Sequence, residues 1–398
     1  MWFPRAVNTA RGGFDQNFAE DWSKGEGDER SLVYQARLTW VAAQASQRFP
    51  QEAERYRNYA RHGLAFLHRM EDTREGGFFW ELDGAGHPAR DGEKHVYGIA
   101  FALYALSATY EATHDPQALK LAQRAFTWLD THTHDAKNGG YVEALRRDGT
   151  PILAPSAAPD APTADFIGTR YGFKSMNTHI HLLEALAELF RVWPDVRVKS
   201  RLSEVFDLVR ETIVVPPVGA MNLFFTPQWR AVPDHDSFGH DVETAYLLVE
   251  ASHALGRRND ARTWEVARRL VDHALQFGWD AEHGGFYDAG GTFTPPTARD
   301  KVWWVEAEGL NALLLMHSHF GKTTPRYEDA FLRQWQFIAT SQIDSVHGGW
   351  YPSVSEEGKP LQGRAKSDAW TEAYHQGRAL LNVSAMLRQM ALESAPTR

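Results

Sequence analysis

A short motif recurs along this chain at a nearly constant interval, and that interval limits the folds open to it. Two glycines followed by an aromatic residue stand at Gly12-Gly13-Phe14, Gly76-Gly77-Phe78, Gly139-Gly140-Tyr141, Gly284-Gly285-Phe286 and Gly348-Gly349-Trp350. The aromatics lie 64, 63, 145 and 64 residues apart. The long interval holds two periods and an insertion, and Asn222-Leu223-Phe224-Phe225 near its middle fits a degenerate sixth copy. Gly-Gly reaches backbone angles closed to other residues, and the aromatic after it begins a short extended run such as Phe286-Tyr287-Asp288. Self-similarity at such a period marks a repeat architecture.

Between the turns, apolar residues recur at three- and four-residue spacing in paired stretches. The pairs fall near 29–46 and 51–70, 95–114 and 116–133, 174–193 and 195–214, 240–256 and 260–278, and 303–320 and 325–343. A last helix runs from about Trp370 to Leu392. Six units of a turn and two helices predict an all-α fold, an (α/α)6 barrel with short β-hairpin turns at its mouth. It would form one domain over residues 1–398. A linear solenoid could share the period but has no need of six copies. The count is one helix short: the twelfth should precede Gly12, where about ten residues stand.

Composition narrows the function classes. The formal net charge is −9 and no Lys/Arg run resembles a nucleic-acid footprint, so nucleic acid is not an expected partner. Cysteine is absent, which removes disulfides, thiolate metal sites and a cysteine nucleophile. The start, Met1-Trp2-Phe3-Pro4-Arg5, lacks a signal-peptide pattern, and no stretch approaches the ~20 apolar residues of a membrane span. A cytoplasmic protein is the expectation. The 14 Trp, 13 Tyr and 22 Phe serve mostly as core, although aromatic faces also stack on sugar rings.

The helix after each turn carries unusual polar residues near its start. In order these are Tyr34 and Arg37; His95 and Tyr97; Asn177, His179 and His181; His240, Asp241 and Glu243; Trp303, Trp304, Glu306 and Glu308; and Trp370, Tyr374 and His375. If these helices form the inner ring, all six sets converge on one mouth. Capping accounts for a residue such as Asp241 at a helix start, but not for His, Arg and Trp. Asn177 and His181 share a helix face, whereas His179 lies about 200° away and should face elsewhere. The divergence argues against a His-x-His metal pair. His240 and Glu243 can touch at i and i+3, which would support an acid–base imidazole. Glu308, one turn beyond Trp304, would complete a sugar clamp.

Four segments together resemble the N-acylglucosamine 2-epimerase family, most closely its cellobiose 2-epimerase branch. They are Asn177-Thr178-His179-Ile180-His181, Phe238-Gly239-His240-Asp241-Val242-Glu243, Trp303-Trp304 with Glu308, and Trp370 with Tyr374-His375 and Arg378-Ala379. The resemblance covers essentially the whole chain after Gly12 and implies an (α/α)6 barrel without a cofactor or metal. It implies His240 and His375 as the acid–base pair, with Arg37, Asn177, His181, Glu243, Trp304 and Trp370 around the sugar; Tyr97 and Glu308 join the expected sugar contacts. Two positions depart from the branch: Val305-Glu306 stands where Pro-Gln is usual, and Glu372-Ala373 where Gly-Pro or Cys-Pro is usual.

The chemistry so implied is inversion at C2 of a reducing mono- or disaccharide. One histidine, on one wall of the cavity, takes the C2 proton; the other, on the opposite wall, returns a proton to the opposite face of the enediolate. His240 would also assist ring opening, supported by Glu243. Arg37 and Asn177 would hold the developing oxyanion, at roughly 3 kcal/mol per donor. Return of the proton to C1 would give an aldose–ketose isomerase. A glycoside hydrolase would instead need two of Asp241, Glu243, Glu306 and Glu308 across a scissile bond. A sugar-binding protein without catalysis is a third reading. The expected partner is a small sugar, and the expected state a monomer or homodimer.

Overall fold

The computed structural model describes residues 1–158 and 160–394; Pro159 and 395–398, part of the expected single domain, lie outside the described residues. The helices in chain order are α1 (Trp2–Arg5), α2 (Leu32–Arg48), α3 (Ala53–Met70), α4 (Val96–Thr113), α5 (Pro116–His132) and α6 (Met176–Val192). They continue with α7 (Val196–Leu208), α8 (Phe238–Ala254), α9 (Ala261–Phe277), α10 (Trp303–Phe320), α11 (Arg326–Phe337) and α12 (Tyr374–Ser394). Two kinds of helix alternate. α4 is apolar almost all round and buried along nearly its whole length, as an inner helix must be. α3 buries one face, through Ala60, Gly63, Leu64, Phe66, Leu67 and Met70, and leaves the rest to solvent.

The even-numbered helices pack in ring order, α2 on α4, α4 on α6, α6 on α8, α8 on α10 and α10 on α12. α12 then packs back on α2, which closes the toroid and rules out the open solenoid. The fold is an (α/α)6 barrel. At the outer position before the first turn stands α1, four residues long. Val7 bridges Phe14 just as Glu71 bridges Phe78 after α3, so α1 stands where an outer helix would end.

The Gly-Gly turns build the rim. Asp72 N–H donates to Gly77 O and Gly76 N–H donates to Asp72 O, with Gly76 and Gly77 at φ 71° and 70°. The pattern returns at Asp135, Asp280 and Asp344, and Asn8 takes the aspartate's place in the first turn. A buried lysine from the segment before the next inner helix reaches each aspartate. The Nζ–carboxylate distances are 3.3 Å for Lys94–Asp72, 2.8 Å for Lys174–Asp135, 2.7 Å for Lys301–Asp280 and 2.6 Å for Lys366–Asp344. The degenerate fourth unit differs. Its Asp236 occupies the lysine's register, and the cation comes from His273 on α9.

Two-residue antiparallel ladders then stitch unit to unit: Arg30–Ser31 with Glu81–Leu82, Lys94–His95 with Ala144–Leu145, Lys174–Ser175 with Phe224–Phe225, Asp236–Ser237 with Ala289–Gly290, and Lys301–Val302 with Ser353–Val354. The bridge Phe18–Ser367 supplies the sixth link. Phe224–Phe225 thus fills the degenerate copy's place in the ring. One expected boundary shifts: the last helix begins at Tyr374, not Trp370. The Asp368 side chain accepts the N–H groups of Trp370 and Thr371 and holds that segment as a turn.

Candidate active site

Five of the six inner helices, α2, α4, α6, α8 and α10, start directly after a rim strand, so residues of their first turns project into the mouth; α12 follows the Asp368 turn. Ser31 and Ser175 cap α2 and α6 by accepting from Tyr34 and Thr178 N–H, and His95 Nδ1 does the same for Tyr97 N–H. Ser237 holds the same place before α8, yet its Oγ bonds to His240 Nδ1 at 2.7 Å. The cap is diverted to orient an imidazole.

A cavity of about 400 Å³ opens at this mouth. Nine of the ten expected site residues line it: Arg37, Tyr97, Asn177, His181, His240, Glu243, Trp304, Trp370 and His375. Glu308 does not. It is fully buried behind His375 and accepts from His375 Nδ1 at 2.8 Å and from Arg378 at 2.7 Å. It is a support for the imidazole, not a sugar contact.

Two further expectations are corrected. Glu243 makes no hydrogen bond to His240; its Oε1 accepts from Arg378. The two expected acid–base histidines are also not on opposite walls. α8 and α12 flank α10, and the Trp304 ring on α10 packs beside both imidazoles, 4.7 Å from the His240 ring and 5.6 Å from the His375 ring. Gly239 permits this approach, because a Cβ there would stand 2.5 Å from the Trp304 ring. His181 on α6, across the ring from α12, is a third imidazole in the cavity, with Nδ1 2.6 Å from Glu184.

The imidazoles share one pattern. Nδ1 is engaged by Glu308 in His375, by Glu184 in His181 and by Ser237 in His240, which leaves Nε2 as the free nitrogen among the described residues. Burial pushes His181 and His375 well below the ordinary value of 6.5 and His240 below it as well. All three are therefore neutral near neutral pH, as a proton acceptor must be.

Arg378 is the hub beneath them. Its guanidinium is 1% exposed and donates to Glu184 and Glu308, both at 2.7 Å, to Glu243, and to the Tyr374 hydroxyl. Glu243, Glu308 and His375 place donor atoms close enough together for a cation, and among the described residues the guanidinium already bonds both carboxylates. Arg378, Glu184, Ser237 and Glu372 have no role in the motif pattern of the sequence alone. The available signal was spacing: His181/Glu184, Ser237/His240 and His375/Arg378 are all i, i+3 pairs.

The remaining polar residues near the helix starts serve the frame. His179 donates to Ser175 O and accepts from Tyr141 N–H, facing away from the cavity. Asp241 accepts from His273 at 2.8 Å; burial opposes charge on that imidazole, but Asp241 and its neighbours raise it to about 9. Glu306 accepts from Phe286 N–H and from Gln334. Asp241 and Glu306 are thus unavailable for hydrolysis, and Glu243 and Glu308 are tied to Arg378. A second cavity of about 660 Å³ adjoins the first and shares Phe166 and Trp370 with it.

A closed α/α toroid whose mouth gathers neutral imidazoles, indole faces and one guanidinium has the features of a carbohydrate-active barrel enzyme. Comparison with known proteins narrows the class. The family profile of N-acylglucosamine 2-epimerase (GlcNAc 2-epimerase) matches residues 12–379. The chain is 30% identical over 383 residues to a cellobiose 2-epimerase of Bacteroides fragilis, covering 96% of this chain and 94% of the relative. It is 26% identical to a D-mannose isomerase of Marinomonas mediterranea, covering 94% and 91%. The solved cellobiose 2-epimerase of Spirochaeta thermophila superposes with a TM-score of 0.84 at 31% identity, covering 97% and 92%. The chain belongs to the N-acylglucosamine 2-epimerase family and is an enzyme of the isomerase class.

Proposed function

We propose that residues 1–398 act as one catalytic domain that inverts C2 at the reducing end of an aldose, with His240 and His375 as the acid–base pair. The observation that carries this reading is the shared pattern of the two imidazoles, which come from two inner helices, are each anchored through Nδ1 and each line the same cavity beside Trp304. An open-chain aldose lies with its C1–C2 bond between them. The Nε2 of one takes the C2 proton and becomes an imidazolium; the second, in its Nε2–H tautomer, gives its Nε2 proton to the other face of the enediolate, and proton exchange with solvent returns both to neutral. The Glu308 carboxylate accepts from His375 Nδ1–H and so stabilises the imidazolium that forms. Ser237 can donate or accept, so His240 can serve in either tautomer.

Arg37 and Asn177 hold the oxyanion; Asn177 Oδ1 is buried with no protein partner among the described residues and suits a sugar hydroxyl. The adjoining cavity beyond Trp370 gives room for a second sugar unit, which supports a disaccharide of the cellobiose type. The likeness to a mannose isomerase supports a second reading, in which the same enediolate is reprotonated at C1. Incubation with cellobiose, and separately with mannose, in D2O separates them by NMR. Deuterium at C2 of an epimeric aldose is the expected result. A ketose would transfer the protein to the isomerase reading, and glycosidic cleavage without exchange would sink proton transfer altogether.

A further inference from the structure

Arg37 is 3% exposed, and its place in the cavity depends on a residue that does not line it. Its Nη1 donates to Glu372 Oε1 at 3.0 Å and its Nη2 to the Tyr97 hydroxyl at 3.1 Å. The rings of Phe101 and Tyr374 lie 4.2 and 5.0 Å from the guanidinium carbon. Arg37 Nε has no partner among the described residues. Glu372 is fully buried, and its second oxygen accepts the N–H of Tyr374, the first residue of α12. One carboxylate therefore ties the guanidinium on α2 to the start of the helix that carries His375.

We infer that Glu372 is a positioning residue for the epimerase reaction: it aims the Arg37 guanidinium at the developing oxyanion and keeps it in register with His375. The inference rests on the proposed oxyanion role of Arg37. Glu372-Ala373 is one of the two places where the chain departs from the branch it resembles, so the device belongs to this chain's own residues. Glu372 and Arg37 form a neutral pair. The cavity then holds the enediolate by directed N–H groups rather than by net charge, and an uncharged sugar product leaves without breaking an ion pair. Glu372→Gln leaves one side-chain oxygen for two donors, so the tie between the guanidinium and the start of α12 is broken at one end, and a small misplacement of a positioned donor is costly in rate.

A double-mutant cycle tests this, using Glu372→Gln, Arg37→Met and the pair, read by C2 deuterium incorporation in D2O with the sugar that reacts. Glu372→Gln is expected to lower kcat on the order of tenfold with KM within about twofold. In the Arg37→Met background the same change should cost less than about twofold. An equal loss in both backgrounds, or wild-type kcat in Glu372→Gln, overturns the inference and leaves the oxyanion role of Arg37 standing. Wild-type kcat in Arg37→Met overturns that role and the inference with it. Circular dichroism and Tm check folding. If Glu372→Gln does not fold, Glu372→Asp, which keeps the charge but withdraws the carboxylate by one methylene, replaces it with the same expectations.

Discussion

Glu308→Gln isolates the electrostatic part of catalysis by His375. Both hydrogen bonds to Glu308 end on Oε1, from His375 Nδ1 at 2.8 Å and from Arg378 at 2.7 Å, while Oε2 has no protein partner among the described residues. An amide with its oxygen at Oε1 keeps both contacts and puts its NH2 at the free position. Geometry is retained, and Arg378 still has Glu184 and Glu243. The change removes the charge that stabilises the transient imidazolium. Hydrogen bonds to ionised groups are roughly twice as strong as neutral ones, so the imidazolium loses about 1.4 kcal/mol. That corresponds to about tenfold in rate. The sugar contacts are untouched, so the loss belongs in kcat with KM nearly constant. Initial rates of C2 exchange in D2O, with Tm as control, measure it. Wild-type kcat, or a loss as large as that of His375→Ala, refutes the argument that Glu308 acts through the charge it lends to His375.

Two further outcomes follow from burial. Burial destabilises the imidazolium forms of His240 and His375, so their neutral forms persist below pH 6.5; kcat/KM should be flat from there upward and fall below it, and an acid limb centred above 6.5 contradicts the reading. Lys301→Ala should cost about 3–5 kcal/mol in urea denaturation, because Asp280 is left buried without its cation. Burial alone would raise Asp280, but Lys301 and backbone N–H groups hold it down at about 2, below its ordinary 3.8. The pair's contribution is thus complete above 3.8 and lost as pH falls through about 2, so the difference between wild type and variant should shrink over that window.

Much of the barrel was readable along the chain because each repeat is a local object. Gly-Gly-aromatic needs only neighbouring residues to form its turn, and the helices between turns show their inner or outer character in their own periodicity. The convergence of Arg37, Tyr97, Asn177, His181, His240, Trp304, Trp370 and His375 followed from placing one helix start after each turn. Roles were harder to read than places. His240 and Glu243 are spaced to touch, yet Glu243 turns to Arg378, a partner 135 residues away whose charge outweighs a neutral imidazole. Glu308 looked like a sugar contact from its distance to Trp304, but burial draws it behind His375. Trp370 fell outside the last helix because Asp368 binds its N–H group, a local signal that the apolar pattern masked.

The sequence by itself determined six turns, the alternation of inner and outer helices, and which side chains stand at the first turns of the inner ring, since all of these depend on contacts within a few residues. The tertiary structure alone decided that the ring closes through α12 on α2, that one guanidinium joins carboxylates from α6, α8 and α10, and which carboxylate faces which imidazole. The guanidinium's pairings with those carboxylates join residues 70 to 194 positions apart, and each buried charge takes the counter-charge that the closed ring brings within reach.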